Sequence, residues 1–343
     1  MFRDAATALP ARGLPARGLP FPGLLSLVLF ALVLLAPSLP SAATDPDPLP
    51  SWREGEVKAA ILAFVAAVSD SGGPDFVPAS ERIAVLDNDG TSWCERPDYV
   101  PTRFQADLLR GLVAEGRFDG DAMPYPAWIA DDQEALRDFG WRESYEALTR
   151  ALAGIDIEEY REAALSYLER RRHERFDRPY TELYYAPMLE LIDLLEARDF
   201  QVWIVTGAEQ AFVQSYSEQV LGIPPARVIG SWVTPVYEND DGEVRLTRGD
   251  VQIPNGYEHK PENIAVRIGR RPIFAAGNSN NDEPMCRYAL TGRHRSLAIW
   301  INHDDPDREY EYGRRGSRIE ELCEENPAAF EVSMKRDWAR VFR

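Results

Sequence analysis

Ile83-Ala-Val-Leu-Asp-Asn-Asp-Gly-Thr91 sets four apolar side chains in a row and then turns on two carboxylates. A short apolar run closed by turn residues reads as a strand buried on both faces of a parallel sheet. Such a strand delivers Asp87 and Asp89 to its C-terminal end, where open α/β sheets bind their ligands. With Asn88 between them, the two carboxylates can take separate tasks, one as nucleophile or metal ligand and one as acid/base. The same letters also suit a solvated Asx turn. An EF-hand loop does not fit, because it would need Asp or Asn at Thr91 and Gly at Ser92.

Outward from this stretch, the pattern alternates strands and helices. Upstream, Val57, Ile61, Phe64, Val65 and Val68 recur at helical spacing and predict an amphipathic helix that ends before Ser71-Gly-Gly-Pro74. Downstream, from about Pro97 to Arg198, Phe104, Leu108 and Leu112 keep a four-residue period, as do Tyr160, Ala164 and Leu168, and no strong strand interrupts them. Val202-Trp-Ile-Val-Thr206 repeats the strand pattern and leads into a helix with Phe212, Val213, Tyr216 and Val220 on one face. Val228 to Val236 and Val244 to Leu246 flank the hairpin turn Asp241-Gly242. Two further strands are predicted at Pro272–Ala276 and Leu297–Ile301, the first followed by a helix beginning near Asp282. The predicted fold is α/β, a parallel sheet interrupted by a long helical insertion that caps it.

Three more stretches put chemistry near strand ends. Thr206 and Gly207 end the second strand just before a helix, and a hydroxyl with free amides at a helix N-terminus can receive an anionic oxygen or simply cap the helix. Lys260 stands in a turn between His259 and Pro261. The chain has only three lysines, Lys58, Lys260 and Lys335, against 35 arginines, so a retained lysine points to a need for a compact point charge. Gly277-Asn-Ser-Asn-Asn-Asp282 follows a strand and offers Asn278 and Asp282 as oxygen ligands for a hard cation of the Mg²⁺ type, or as a capped βα turn.

In this order DNDGT, a strand-end Thr, a lone Lys and GNSNND resemble the haloacid dehalogenase superfamily of aspartyl-phosphate phosphatases, closest to its phosphoserine-phosphatase-like branch. The resemblance runs from Ile83 to Asp282. It implies a three-layer sandwich around a Rossmann-like parallel sheet with an inserted helical cap. It also implies Asp87 as nucleophile, Asp89 as general acid/base, and Thr206, Gly207 and Lys260 as phosphate-binding residues. Asp87, Asp89, Asn278 and Asp282 would form an Mg²⁺ site. Asp at position 89 favours phosphate-ester hydrolysis over the dehalogenases and ion-pumping ATPases, which lack an Asp there. Asn278 stands where many relatives carry Asp, which removes a negative charge from the metal site. Glu95 and Arg96 follow the first motif and are candidate substrate contacts. Phosphoserine, a phosphocholine-like ester and a broad range of phosphomonoesters stay open as substrates. So does a non-catalytic reading, a phosphate-ligand binding protein weakened at Asn278. The cap aromatics, among them Tyr99, Phe104, Trp128, Tyr145, Tyr184 and Tyr185, suit either a cationic or apolar leaving group or a helical core.

Composition bounds the partners. The 343 residues carry 38 Lys+Arg against 56 Asp+Glu, a net charge of -18, which disfavours nucleic acid and anionic lipid. Three cysteines, Cys94, Cys286 and Cys323, cannot build a disulfide scaffold or a four-thiolate zinc site. No H-E-x-x-H, P-loop, G-x-S-x-G or paired C-x-x-C motif is present. Arg3, Arg12 and Arg17 precede the apolar run Gly23–Ala36, followed by Pro37 and the small residues Ser41, Ala42 and Ala43. That order reads as a signal peptide over 1–43, because a membrane-spanning helix needs about 20 apolar residues. The division expected is a linker over 44–51, a core of 52–97 and 199–343, a cap of 98–198, and a protein exported to the periplasm or secreted without stable membrane insertion. N-terminal sequencing of exported protein should begin at Thr44; a retained Gly23–Ala36 segment would contradict it.

Overall fold

The computed structural model describes residues 46–313 and 316–343. The segment read as a signal peptide and the first two residues of the expected linker lie outside them. A seven-stranded sheet organises the rest, in the order β4-β3-β2-β1-β5-β6-β7. Helix α1 (Glu56–Ser69) precedes β1 (Ile83–Leu86), whose four residues are all buried. After β1 come α2 (Val100–Ala114), α3 (Tyr125–Ala130), α4 (Gln133–Phe139), α5 (Trp141–Ala151), α6 (Ile157–Arg170) and α7 (Ala186–Glu196). The chain returns to the sheet with β2 (Gln201–Glu209), α8 (Gln210–Gln214), α9 (Ser217–Leu221), and the hairpin of β3 (Val228–Asp240) and β4 (Glu243–Ile253). It continues as α10 (His259–Arg267), β5 (Phe274–Gly277), α11 (Glu283–Leu290), β6 (Leu297–Asn302), α12 (Arg318–Glu325), β7 (Ala329–Ser333) and α13 (Met334–Asp337). All neighbouring strands run parallel except β3 and β4.

The period of two in β1 makes the sandwich. Ala84 and Leu86 enter a core with Ile61, Phe64 and Val65 of α1 and Leu191 and Ile192 of α7. Ile83 and Val85 enter the opposite core with Ile264 of α10, Met285 and Cys286 of α11, and Ile319 and Leu322 of α12. A third, smaller cluster of Ala106, Leu109, Trp128, Leu136 and Leu148 belongs to α2–α5 and is the interior of the cap. The helical insertion is therefore present, but α7 packs on the sheet, so the cap ends earlier than position 198. Its seam with the core is polar: Glu209, at the end of β2, pairs with Arg248 of β4 and accepts from Gln105 of α2 at 2.6 Å and Tyr160 of α6 at 3.1 Å.

Other expectations shift locally. The helix after β2 breaks into α8 and α9, with the Ser215 hydroxyl bonded back to the Phe212 carbonyl at 2.7 Å, a contact that competes with helix hydrogen bonding. β2 runs on past Thr206 to Glu209, with a register irregularity against β3 between Val205 and Glu209. Lys260 lies in the first turn of α10, not in a free turn. The last strand, β7, carries Glu331 and Ser333 among its apolar residues and so lacks the continuous apolar run by which the other parallel strands are read. All three cysteines are free. Among the described residues no helix is long and apolar enough to cross a membrane.

The described part of the expected linker, from 46 to 51, is built into the core. Leu49 is fully buried, Ser51 donates to Glu190 through both its amide and its hydroxyl, and Asp47 holds the buried ammonium of Lys58 at 2.6 Å. Trp52 packs edge-on against Trp338. Pro-rich spacing suggested an extended tether, but the apolar Leu49 among the prolines docks it. Leu49→Ala should lower the unfolding free energy by about 2–4 kcal/mol in denaturant titration; no change would return this segment to the role of a free linker.

Candidate active site

Strand β1 ends at Leu86, and the next amide, that of Asp87, donates to the Ala276 carbonyl of β5 at 2.9 Å. This ties the carboxylate between the two central strands. Asp87 Oδ1 accepts from Lys260 Nζ at 2.6 Å, and Oδ2 accepts from Thr91 Oγ1 at 3.2 Å. The same ammonium reaches Asp282 Oδ1 at 2.5 Å. Lys260 is fully buried and Asp282 nearly so. Burial pushes the Asp87 carboxyl well above the usual carboxylate range, the charge of Asp282 adds to the push, and Lys260 opposes it. For Lys260, burial works against the charge, but Asp282 and Asp87 outweigh it and hold the ammonium above the ordinary lysine value.

Asp89 faces a different environment although it is two residues away. Its Oδ1 accepts from Trp93 Nε1 at 2.8 Å and its Oδ2 from Thr206 Oγ1 at 3.2 Å. Burial, followed by the negative charge of Glu95, raises its carboxyl to about 6 against those hydrogen bonds. Two carboxylates whose surroundings differ in this way are suited to different roles.

Asn278 closes the site from the loop after β5. Its Oδ1 lies 3.4 Å from Thr91 Oγ1, and its Nδ2 donates to Glu95 Oε1 at 3.2 Å. Gly90 sits beneath it at φ +73, where an added Cβ would overlap the Asn278 amide and the Glu95 carboxylate, so glycine is needed for space as well as for conformation. Gly277 is equally confined, against the Asp282 side chain. Gly207 approaches Asn281, and its carbonyl accepts from Ser231 Oγ at 2.7 Å. Asp87, Lys260, Asp282, Asn278 and Glu95 thus form one hydrogen-bonded network through Thr91, and Asp89 with Trp93 and Thr206 forms a second beside it. Arg96 joins neither. Its guanidinium lies over the Tyr312 ring, 4.5 Å from the centroid, at the rim of a cavity of about 260 Å³ that Glu95, Asn278 and Tyr257 also line.

The oxygens of the expected metal set are engaged to different degrees. Asp282 gives Oδ1 to Lys260 and Oδ2 to the amides of Asn278 and Ser279 and the Ser279 hydroxyl, so it organises the loop. The side chain of Asp89 is likewise occupied by Trp93 and Thr206. Among the described residues no group of three or more His, Cys, Asp or Glu is arranged to hold a metal ion. Asp87 Oδ2 and Asn278 Oδ1 are drawn together by Thr91 Oγ1, in surroundings where the carboxylates of Asp87, Asp89, Asp282 and Glu95 outnumber the single ammonium of Lys260. Mg²⁺ binds through one or two carboxylates and keeps several waters, so this hard-oxygen, anionic donor set fits it.

Sequence reasoning passed over three residues. Thr91 was quoted as part of the first motif, and its hydroxyl is the contact between Asp87 and Asn278. Asn255, fully buried, donates from Nδ2 to the carbonyls of Thr206 at 2.9 Å and Ile229 at 3.0 Å, which locks the ends of β2 and β3; the Asn255-Gly256 pair was its only signal. Tyr99 lies at the entry to α2, where burial and the nearby Asp89 carboxylate push its phenol well up. It brings the cap against the site. Phe104, Trp128, Tyr184 and Tyr185 are core residues instead. His173 and His303 are buried in structural contacts, and Arg170–Arg172 is an exposed helix end.

The sequence profile of haloacid dehalogenase-like hydrolases matches residues 84–287, more than half of the chain. The chain belongs to this family. No curated protein matches it by sequence. Among solved structures, a conserved protein of unknown function from Anaerococcus prevotii is 14% identical with a TM-score of 0.51, over 81% of this chain and 95% of its own. That likeness is one of fold. A protein of unknown function from Bordetella pertussis is 14% identical with a TM-score of 0.47, over 74% of this chain and 98% of its own. A probable phosphoserine phosphatase from Vibrio cholerae is 14% identical with a TM-score of 0.35, over 75% of this chain and 62% of its own, too loose a match to speak to chemistry. In this haloacid dehalogenase-like hydrolase, Lys260→Arg should lower turnover by at least about tenfold, roughly 1.4 kcal/mol, because a planar fork cannot fill a fully enclosed point-charge niche. Turnover near that of the parent would make Lys260 a bystander.

Proposed function

We propose that this chain is an exported, Mg²⁺-dependent phosphatase that hydrolyses small phosphomonoesters through an aspartyl-phosphate on Asp87, in the manner of phosphoserine phosphatase. The observation that carries the proposal is the division of labour between Asp87, held by Lys260, and Asp89, held off by Trp93 and Thr206. Asp87, oriented by Lys260 and Thr91, is the nucleophile that attacks phosphorus in line. Lys260 keeps its charge throughout and steadies the negative oxygens of the transferring group. Asp89, with a carboxyl lifted to about 6, gives its proton to the leaving alcohol and then takes one from the water that cleaves the acyl phosphate. Asp87 and Asn278 would hold Mg²⁺, which supplies neutralisation of phosphate charge when bound. Thr206 and the amide of Gly207 receive a phosphoryl oxygen once the Thr206 hydroxyl swings from Asp89. Tyr99 of the cap and Glu95 and Arg96 at the rim are left to meet the alcohol portion.

The alternative, a binding protein that has lost turnover, rests on Asn278 in place of a carboxylate. The presence of both Asp87 and Asp89 in distinct settings supports catalysis over it. With p-nitrophenyl phosphate, activity should vanish in EDTA and return with Mg²⁺. Asp87→Asn should abolish turnover and show no covalent adduct, whereas Asp89→Asn should accumulate one phosphoryl group, seen by intact-protein mass spectrometry after acid quench. The reverse pattern would exchange the two roles. No adduct in either variant, with turnover intact, would remove the aspartyl-phosphate route.

A further inference from the structure

His303 and Glu309 lie beyond the span 84–287 that carries the family signature, yet they reach the first catalytic loop from behind. His303 is 2% exposed and Glu309 fully buried. One ring nitrogen of His303, Nδ1, is 3.0 Å from Glu309 Oε2, and the other, Nε2, is 2.7 Å from the carbonyl oxygen of Gly90. The Gly90 carbonyl can only accept, so its contact calls for a proton on Nε2, while Nδ1 and the Glu309 carboxyl group share the second hydrogen bond. Glu309 is itself immobilised, its Oε1 accepting from Cys94 Sγ at 3.0 Å and Tyr185 OH at 3.3 Å. Tyr312 stacks on the His303 ring with centroids 4.0 Å apart and brings its hydroxyl within 2.9 Å of Nε2.

The Gly90 peptide is where such a strut has most effect. Asp89 precedes it, Thr91 follows it, and Asn278 and Glu95 press against its α-carbon. Its amide donates to the Trp93 carbonyl at 3.0 Å, and Trp93 in turn donates its indole N–H to Asp89. The Gly90 amide belongs to the peptide unit shared with Asp89 and its carbonyl to the unit shared with Thr91, so a displacement of Gly90 would shift the Asp89 carboxyl against Trp93 and the Thr91 hydroxyl against Asp87. We propose that His303, fixed by Glu309, is a positioning residue for the hydrolytic reaction: by holding the Gly90 carbonyl it sets the directions of Asp89 and Thr91. The inference rests on the roles given to those residues under Proposed function. It assigns to the C-terminal segment a part in catalysis that touches no substrate.

The test uses His303→Ala, His303→Gln and Glu309→Gln in the full mature chain, with two readouts. The first is the split of kcat from KM on p-nitrophenyl phosphate. The second, independent of activity, is the NMR resonance of the Trp93 indole N–H, which reports the hydrogen bond to Asp89. His303→Ala should cut kcat by about tenfold or more while KM moves by less than about threefold, since a misdirected catalytic group costs rate more than binding. The Trp93 resonance should shift. His303→Gln, whose amide still donates to the Gly90 carbonyl, should recover most of the rate and the resonance. If His303→Ala does not fold, Glu309→Gln, which keeps an acceptor but loses the charge, should show the same pattern to a smaller degree. A kcat within about threefold of the parent, or equal losses in Ala and Gln variants with the Trp93 resonance unmoved, would overturn the proposal and leave His303 as a stabiliser of the fold. Should the parent protein turn over no phosphate ester, the functional reading falls, and the Trp93 resonance alone decides whether the strut holds the loop.

Discussion

The ammonium of Lys260, enclosed between Asp87 and Asp282, is the contact on which the site depends. Three segments meet there: the end of β1, the loop after β5 and the first turn of α10. Removing three charges from water costs several kcal/mol per ion unless each is paired with good geometry. A small displacement of any one segment would leave a buried charge without its partner, so the pairing couples the register of the central strands to the helix beside them. A guanidinium would need a wider opening, which accounts for a lysine in a chain that otherwise turns to arginine. Lys58 obeys the same logic at the other end of the chain, buried between Asp47 and Glu54 at 2.6 Å from each.

Around that centre the protein creates asymmetry from near-identical parts. Asp87 and Asp89 are neighbours in sequence and both buried, but one faces a cation and the other an indole, a hydroxyl and the field of Glu95. The difference lies in the partners each meets, Lys260 and Thr91 for Asp87 and Trp93 and Thr206 for Asp89. A second buried charge pair, Glu209 of β2 with Arg248 of β4, lies within the sheet, and the helical insertion bonds to it through Gln105 and Tyr160. Glu209 is only three residues past Thr206 on the same strand, so the seam between cap and core lies close to the Asp89–Thr206 contact.

The two flanks of the family segment close on each other and on the site. Arg53 donates its amide to the Asp337 carbonyl at 2.7 Å, Trp52 donates to Pro187 at 2.9 Å, and Trp338 completes the apolar contact. From the same C-terminal half, His303 and Tyr312 reach the first loop and the cavity rim. The chain outside the catalytic signature is thus part of the wall and the bracing of the site.

Much of this was legible in the letters. Strand β1 and its carboxylates, the strands that follow, the helical insertion and the order of the four site motifs all follow from local rules: apolar runs bounded by turns, periods of 3.6, and residue types whose chemistry is scarce elsewhere in the chain. Sequence alone was enough to bring Asp87, Asn278 and Asp282 to the same end of one sheet, because a parallel α/β topology sends the C-termini of its strands there, whereas Lys260 joined them only through the family resemblance. It could not say which oxygen of each carboxylate is already spoken for. That Asp282 is consumed by Lys260 and two amides, that Thr91 bridges Asp87 to Asn278, and that Asn255 and His303 hold the loops in place are consequences of distances between residues far apart in the chain. So is the docking of Leu49, which sits in a proline-rich stretch with every local mark of a tether. Hydrogen-bond partners and burial are properties of where distant segments meet, and only the tertiary structure decided those meetings.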